Sequence, residues 1–90
     1  MTGMEERMAA IRARFVERSR AERAELGAAA GRMDLPEIRR LAHGLSGSAG
    51  IFGFPEISTA AAGLERAVDE EPEAVGPAAD ALLHLLEGLG

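Results

Sequence analysis

The chain has 90 residues, no cysteine and a formal net charge of −5 at pH 7. This length suits one domain with a modest core, and the lack of cysteine excludes disulfides and thiolate metal sites. The acidic balance and the presence of only three aromatic residues, all phenylalanine, argue against a nucleic-acid partner. No apolar run approaches the roughly 20 residues of a membrane span, and the first residues lack a signal-peptide pattern, so we expect a cytoplasmic protein without a membrane partner.

The first helix is predicted over residues 4–26. Thr2 and Glu5 fit a capping box at its start. Apolar residues recur at helical spacing on one face: Met4, Met8, Ile11, Phe15 and Leu26. Ser19 and Glu22 interrupt this face, so we expect the second half of the helix to be less securely buried. Arginines interleaved with glutamates indicate that the rest of the helix is solvated and forms ion pairs.

The second helix is predicted from its N-cap Asp34, with Pro36 in the first turn, to its end at Gly53. Its apolar face consists of Leu35, Ile38, Leu41, Ala42, Leu45, Ala49 and Phe52. With about 100° per residue on a helical wheel, His43 falls about 140° from the centre of this face. We therefore expect His43 to point to solvent.

Two further helices complete the pattern, one from Pro55 to Asp69 and one over residues 74–88, joined by the acidic link DEEPE. Each carries one apolar stripe and the links are short. The sequence predicts an all-α protein, an antiparallel four-helix bundle, that forms a single domain over residues 1–90. The many alanines predict close helix packing and a thin core.

Glycine recurs at every third position beside the histidine: Gly44, Gly47, Gly50 and Gly53. A glycine in a helix costs up to about 1 kcal/mol relative to alanine, so this repetition needs a reason. Gly47 and Gly50 share the side of His43, whereas the other two suit helix packing. Because helical side chains lean toward the N-terminus, the small Ser46 and Gly47 would leave the imidazole uncovered. We interpret the stretch as space for a second macromolecule; the alternative is an ordinary surface histidine.

This stretch resembles the signature of histidine-containing phosphotransfer (HPt) domains, H-x-L-K-G-S-[SA]-x-x-[LF]-G. The matching positions are His43, Leu45, Gly47, Ser48, Ala49, Phe52 and Gly53. Leu64 and Glu65 stand where the family often has a downstream Leu-Glu pair. The resemblance covers the whole chain in length and helix order. One position departs, because Ser46 replaces a lysine that in the family helps to hold the phosphoryl group.

The resemblance implies a stoichiometric phosphoryl carrier of a two-component phosphorelay. His43 would accept a phosphoryl group from an aspartate of a response-regulator receiver domain and pass it to another receiver. A neutral imidazole has the necessary lone pair near pH 7. The receivers would supply the metal ion, and a hybrid or histidine kinase would act upstream. The chain has no phosphate-binding loop, so we expect no ATP site of its own, no cofactor and a monomeric protein.

Arg39 and Arg40, one turn before His43, are candidates to supply the charge of the missing lysine. Ser46, Gly47 and Gly50 complete the predicted set of residues that support the phosphate or the partner. His84, the second histidine, faces away from its helix stripe among large neighbours, so we interpret it as an inert surface residue. A metal site formed by both histidines is not expected, since both point outward.

Two alternatives stay open. The substitution of lysine by Ser46 allows a pseudo-HPt adaptor that docks receivers without carrying phosphate. A purely structural oligomerisation module is the other, and an exposed apolar strip would support it. Met1 and the Thr2 cap favour a complete chain over a piece of a larger kinase.

Overall fold

The computed structural model describes residues 3–89. Its helices are α1 (Gly3–Gly31), α2 (Leu35–Ile51), α3 (Pro55–Glu70) and α4 (Val75–Glu87), with a short 3-10 helix (Pro72–Ala74) before α4. No strand occurs in this part of the chain, so the predicted all-α class with four helices is confirmed. No helix in it is long and apolar enough to cross a bilayer. Thr2, the predicted capping residue, lies outside the described residues.

The four helices surround one core. α2 packs most extensively on α3, which packs on α4, while α1 packs on both α4 and α2. Between residues 3 and 89, no Cα atom of α2 lies within 8 Å of a Cα atom of α4, so these two helices are not adjacent in the bundle. The largest fully buried side chains are Phe15, Leu26, Ile38, Leu45, Leu64, Val75 and Leu82. Several buried positions are alanines, and these short side chains let neighbouring helices approach closely, as the composition predicts.

α2, the helix that carries the histidine, begins and ends as predicted. The Asp34 carboxylate accepts a hydrogen bond of 3.3 Å from the backbone N–H of Glu37, which caps the first turn. Gly53 has a φ of +85°, a left-handed conformation that glycine adopts without strain. The N–H of Phe54 then donates to the carbonyl of Ala49 at 2.8 Å, which closes the helix end. The chain turns directly from this end into α3.

The prediction for α1 is wrong in both its length and its buried half. α1 continues to Gly31, and its buried residues, Phe15, Ser19, Leu26 and Ala29, are all outside its first three turns. Met4 is 78% exposed and Met8 is 38% exposed. The 29 residues of α1 extend over about 44 Å, whereas the 17 residues of α2 extend over about 26 Å. The first turns of α1 therefore have little of the bundle to pack against.

Ser19 and Glu22 are accommodated on the face of α1 that they were expected to interrupt. The buried Ser19 hydroxyl donates to the carbonyl of Phe15 at 2.8 Å, so its burial leaves no unsatisfied donor. Glu22 is half-buried, and its carboxylate lies 3.4 Å from Arg18. Burial raises the pKa of Glu22 above the usual glutamate value, although Arg18 partly opposes this effect.

We expect Glu22→Gln to stabilise the protein at pH 7. Because the folded-state pKa is raised, the ionised carboxylate opposes folding at neutral pH, and this effect disappears as the pH falls and Glu22 binds a proton. The free energy of unfolding should rise by up to about 1 kcal/mol at pH 7 and by less near pH 4. Urea titrations at both pH values measure this, with Glu73→Gln, an exposed position outside α1, as the control. An equal gain at both pH values would contradict the assignment.

Candidate functional site around His43

His43 lies in the middle of α2 and points outward, as the helical wheel predicts. Its side chain is 73% exposed. The ring is nevertheless held on one side, because Nδ1 lies 3.0 Å from Oε2 of Glu65 on α3. A carboxylate accepts hydrogen bonds, so a neutral imidazole in this contact carries its proton on Nδ1. The lone pair of Nε2 is then available.

The contact between His43 and Glu65 was not predicted from the sequence. The carboxylate comes from the neighbouring helix, α3. Glu65 follows the fully buried Leu64 on α3, the helix that packs most extensively on α2, and its side chain emerges at the edge of the α2–α3 contact. The Leu64-Glu65 pair was the signal in the sequence that pointed to Glu65. Its contact with His43 could not be predicted without the register of α3 on α2.

Arg39 and Asp69 extend the contact by one turn on each helix. The Arg39 guanidinium donates to Asp69 through Nε at 2.9 Å and through Nη2 at 3.2 Å. Nη2 also lies 3.3 Å from Oε2 of Glu65, the oxygen that contacts His43. The hydrogen bond from Arg39 lowers the pKa of Asp69, and Asp69 in turn raises the pKa of Arg39. We call Arg39, His43, Glu65 and Asp69 the α2–α3 cluster.

The second predicted cation, Arg40, is placed differently. Its guanidinium donates to both carboxylate oxygens of Glu37, at 2.9 and 2.7 Å. The hydrogen bond from Arg40 lowers the pKa of Glu37. Of the two arginines, Arg39 therefore reaches the partner of His43, while Arg40 is paired within α2.

The glycines of α2 divide in a way that the wheel did not predict. Apart from the backbone of α2 itself, a Cβ added at Gly47 would meet no atom of residues 3–89 within 4 Å, which agrees with its expected role as open space. A Cβ at Gly50 would lie 3.3 Å from Oγ of Ser58, so Gly50 accommodates α3 instead. The Ser58 hydroxyl donates to the carbonyl of Ser46 at 2.8 Å, and Ser46 is half-buried. Gly44, assigned to packing, has open space around its Cβ position.

His84 is exposed on α4, the helix that is not adjacent to α2. The two histidines therefore do not meet. Within residues 3–89, no group of three or more histidine, cysteine, aspartate or glutamate side chains is arranged to hold a metal ion.

Comparison with known families agrees with the resemblance read from residues 43–53. A family model described as the Hpt domain matches residues 10–90, which includes all of α2, α3 and α4 and most of α1. Neither curated proteins nor solved structures show a significant match to the chain. Hpt domains are phosphocarrier modules of two-component signalling and have no ATP site of their own. The chain belongs to the Hpt domain family.

Proposed function

We propose that this protein carries phosphoryl groups in a two-component phosphorelay and that His43 is the phosphoacceptor. The observation that carries the proposal is the 3.0 Å contact between Nδ1 of the exposed His43 and Glu65. It leaves Nε2 both unprotonated and accessible to a large partner. We further propose that residues 1–90 act as one domain, an antiparallel four-helix bundle, and as a monomer in the cytoplasm.

The geometry suits direct attack by Nε2 on the phosphorus of an aspartyl phosphate. The Nε2 lone pair forms the N–P bond, the P–O bond breaks, and its electrons go to the receiver's aspartate. No proton has to leave Nε2, because the ring proton is on Nδ1. Positive charge develops on the ring during attack, and Glu65 stabilises it through the Nδ1–H hydrogen bond. The receiver domain supplies the metal ion, and a kinase supplies phosphate upstream.

The phosphorylated ring needs nearby positive charge, since a phosphoryl group brings about two negative charges. Arg39 is the better placed of the two predicted cations, because it already contacts Glu65. Arg40 contributes once its hydrogen bonds to Glu37 open. In this proposal Gly47 gives the partner room, and Ser46 marks the position where the family lysine is absent.

One experiment separates the proposal from its alternatives. The protein is mixed with a phosphorylated receiver domain and assayed for acid-labile phosphate on histidine. Transfer supports the carrier. Binding without transfer supports the pseudo-HPt adaptor. If the protein neither binds the receiver nor accepts phosphate, the structural oligomerisation module is supported, and size-exclusion chromatography should then show an oligomer. The exposed Met4 and Met8 at the start of α1 favour this alternative.

Glu65→Gln is expected to slow phosphoryl acceptance about tenfold while the fold stays intact. The amide keeps the shape of the side chain but removes the charge that stabilises the developing imidazolium, and a hydrogen bond to a charged group contributes about 1.5–3 kcal/mol. Initial rates of transfer from a phosphorylated receiver measure the effect. Glu56→Gln, an exposed position in the first turn of the same helix, is the control. An unchanged rate in Glu65→Gln would show that Glu65 has no part in the reaction.

A further inference from the structure

The α2–α3 cluster contains one oxygen that two donors share. Oε2 of Glu65 lies 3.0 Å from Nδ1 of His43 and 3.3 Å from Nη2 of Arg39. The contact with His43 sets the ring tautomer, whereas the contact with Arg39 competes for the same oxygen. The position of Arg39 therefore decides how firmly Glu65 holds the histidine.

Arginine prefers to bind a carboxylate with two parallel hydrogen bonds. In this structure Arg39 makes its pair of bonds to Asp69, through Nε and Nη2, and reaches Glu65 through Nη2 alone. If Asp69 were absent, Glu65 would be the nearest carboxylate for that two-bond pairing. Glu65 would then turn toward Arg39 and away from Nδ1 of His43.

We propose that Asp69 is a positioning residue for phosphoryl transfer. It engages Arg39, which leaves Glu65 on Nδ1 of His43 and keeps Nε2 unprotonated. The proposal rests on the proposed function only in assigning Nε2 as the nucleophile. Asp69 acts through Arg39 and Glu65 and does not itself contact the imidazole.

The tautomer of His43 in the free protein tests this directly. Nitrogen-15 NMR of the imidazole, recorded at about pH 8.5 where an ordinary histidine is neutral, reports which ring nitrogen carries the proton. We expect the wild type to carry it on Nδ1. Asp69→Asn should lower the ratio of the Nδ1–H to the Nε2–H form severalfold. The change should not be larger, because interactions between exposed charges are weak. Asp69→Glu, which keeps the carboxylate, should retain most of the wild-type ratio.

A double variant distinguishes positioning from a general structural role. In Arg39→Ala/Asp69→Asn the competing guanidinium is gone, so Glu65 should return to His43 and the ratio should recover. Glu70→Gln is the matched control, since it removes the same charge one residue further along and Glu70 has no ion pair within residues 3–89. Amide spectra of each variant confirm that the fold is kept.

The proposal is overturned if Asp69→Asn leaves the ratio unchanged, if the double variant stays as low as the single one, or if the wild-type ring is protonated on Nε2. None of these measurements involves a receiver, so they stand even if the protein transfers no phosphate. If it does transfer phosphate, Asp69→Asn should slow acceptance by the same factor as it lowers the fraction of rings that carry the proton on Nδ1.

Discussion

His43→Gln is expected to abolish phosphorylation of the protein without changing its fold. Glutamine has no ring nitrogen to form the N–P bond, and the other histidine, His84, belongs to α4. The side chain is 73% exposed, and exposed substitutions typically change stability by less than about 0.5 kcal/mol. Phosphate incorporation from a phosphorylated receiver and thermal unfolding by circular dichroism measure the two outcomes.

His84→Gln is the matched control for this variant. It removes the other histidine, also exposed, from α4, the helix that is not adjacent to α2. Full phosphorylation is expected in His84→Gln. Residual acid-labile phosphate in His43→Gln would move the acceptor site elsewhere, and loss of the folded state would show that His43 contributes to the core.

Gly47→Leu is expected to reduce transfer from a receiver by tenfold or more while the free protein becomes slightly more stable. Apart from the backbone of α2 itself, nothing in residues 3–89 lies within 4 Å of the added Cβ, and leucine favours a helix over glycine by up to about 1 kcal/mol. The leucine side chain leans toward the N-terminus of α2 and therefore over the imidazole of His43. A receiver domain would meet this side chain before its aspartyl phosphate reached Nε2.

Two comparisons make the test of Gly47→Leu specific. Phosphorylation by a small-molecule phosphodonor should fall much less than transfer from a receiver, because a small donor can pass the leucine. Gly76→Leu on α4 adds the same side chain at another open helical position and should leave transfer unchanged. Undiminished transfer in Gly47→Leu would mean that the lack of a side chain at position 47 does not matter for the receiver. A loss of stability would mean that Gly47 faces a neighbouring helix.

The course of α2 could be predicted because local signals decide it. The Asp34 cap, the spacing of the apolar residues and Gly53 all act within one or two turns, and the outward direction of His43 follows from them. The extent of α1 could not be predicted in the same way. Its helical pattern runs past Gly27, and which half is buried depends on the length of the helices beside it.

The residues that surround His43 depend on contacts between helices. In the sequence, Glu65 and Asp69 are typical of exposed acidic residues on α3. The packing of α3 on α2 brings them to His43 and Arg39. The prediction also assigned helix packing to Gly44 when the glycine that packs against α3 is Gly50. The position of Ser58 relative to α2 decides which of the two must lack a side chain. A helical wheel describes one helix at a time and carries no information on this placement.

The tight turn at Gly53 determines which side chains of α2 and α3 come level with each other. Contacting residues of the two helices stand at equal distances in sequence from Phe54: four residues away for Gly50 and Ser58, and eleven for His43 and Glu65. Arg39 and Asp69 stand fifteen residues away on either side. One extra helical residue at the start of α3 would rotate the side chains that follow it by about 100° relative to the turn and carry Glu65 off the imidazole. The length of this turn therefore determines which residue of α3 contacts the histidine. In a chain with the same turn, the carboxylate partner should lie twenty-two positions after the histidine.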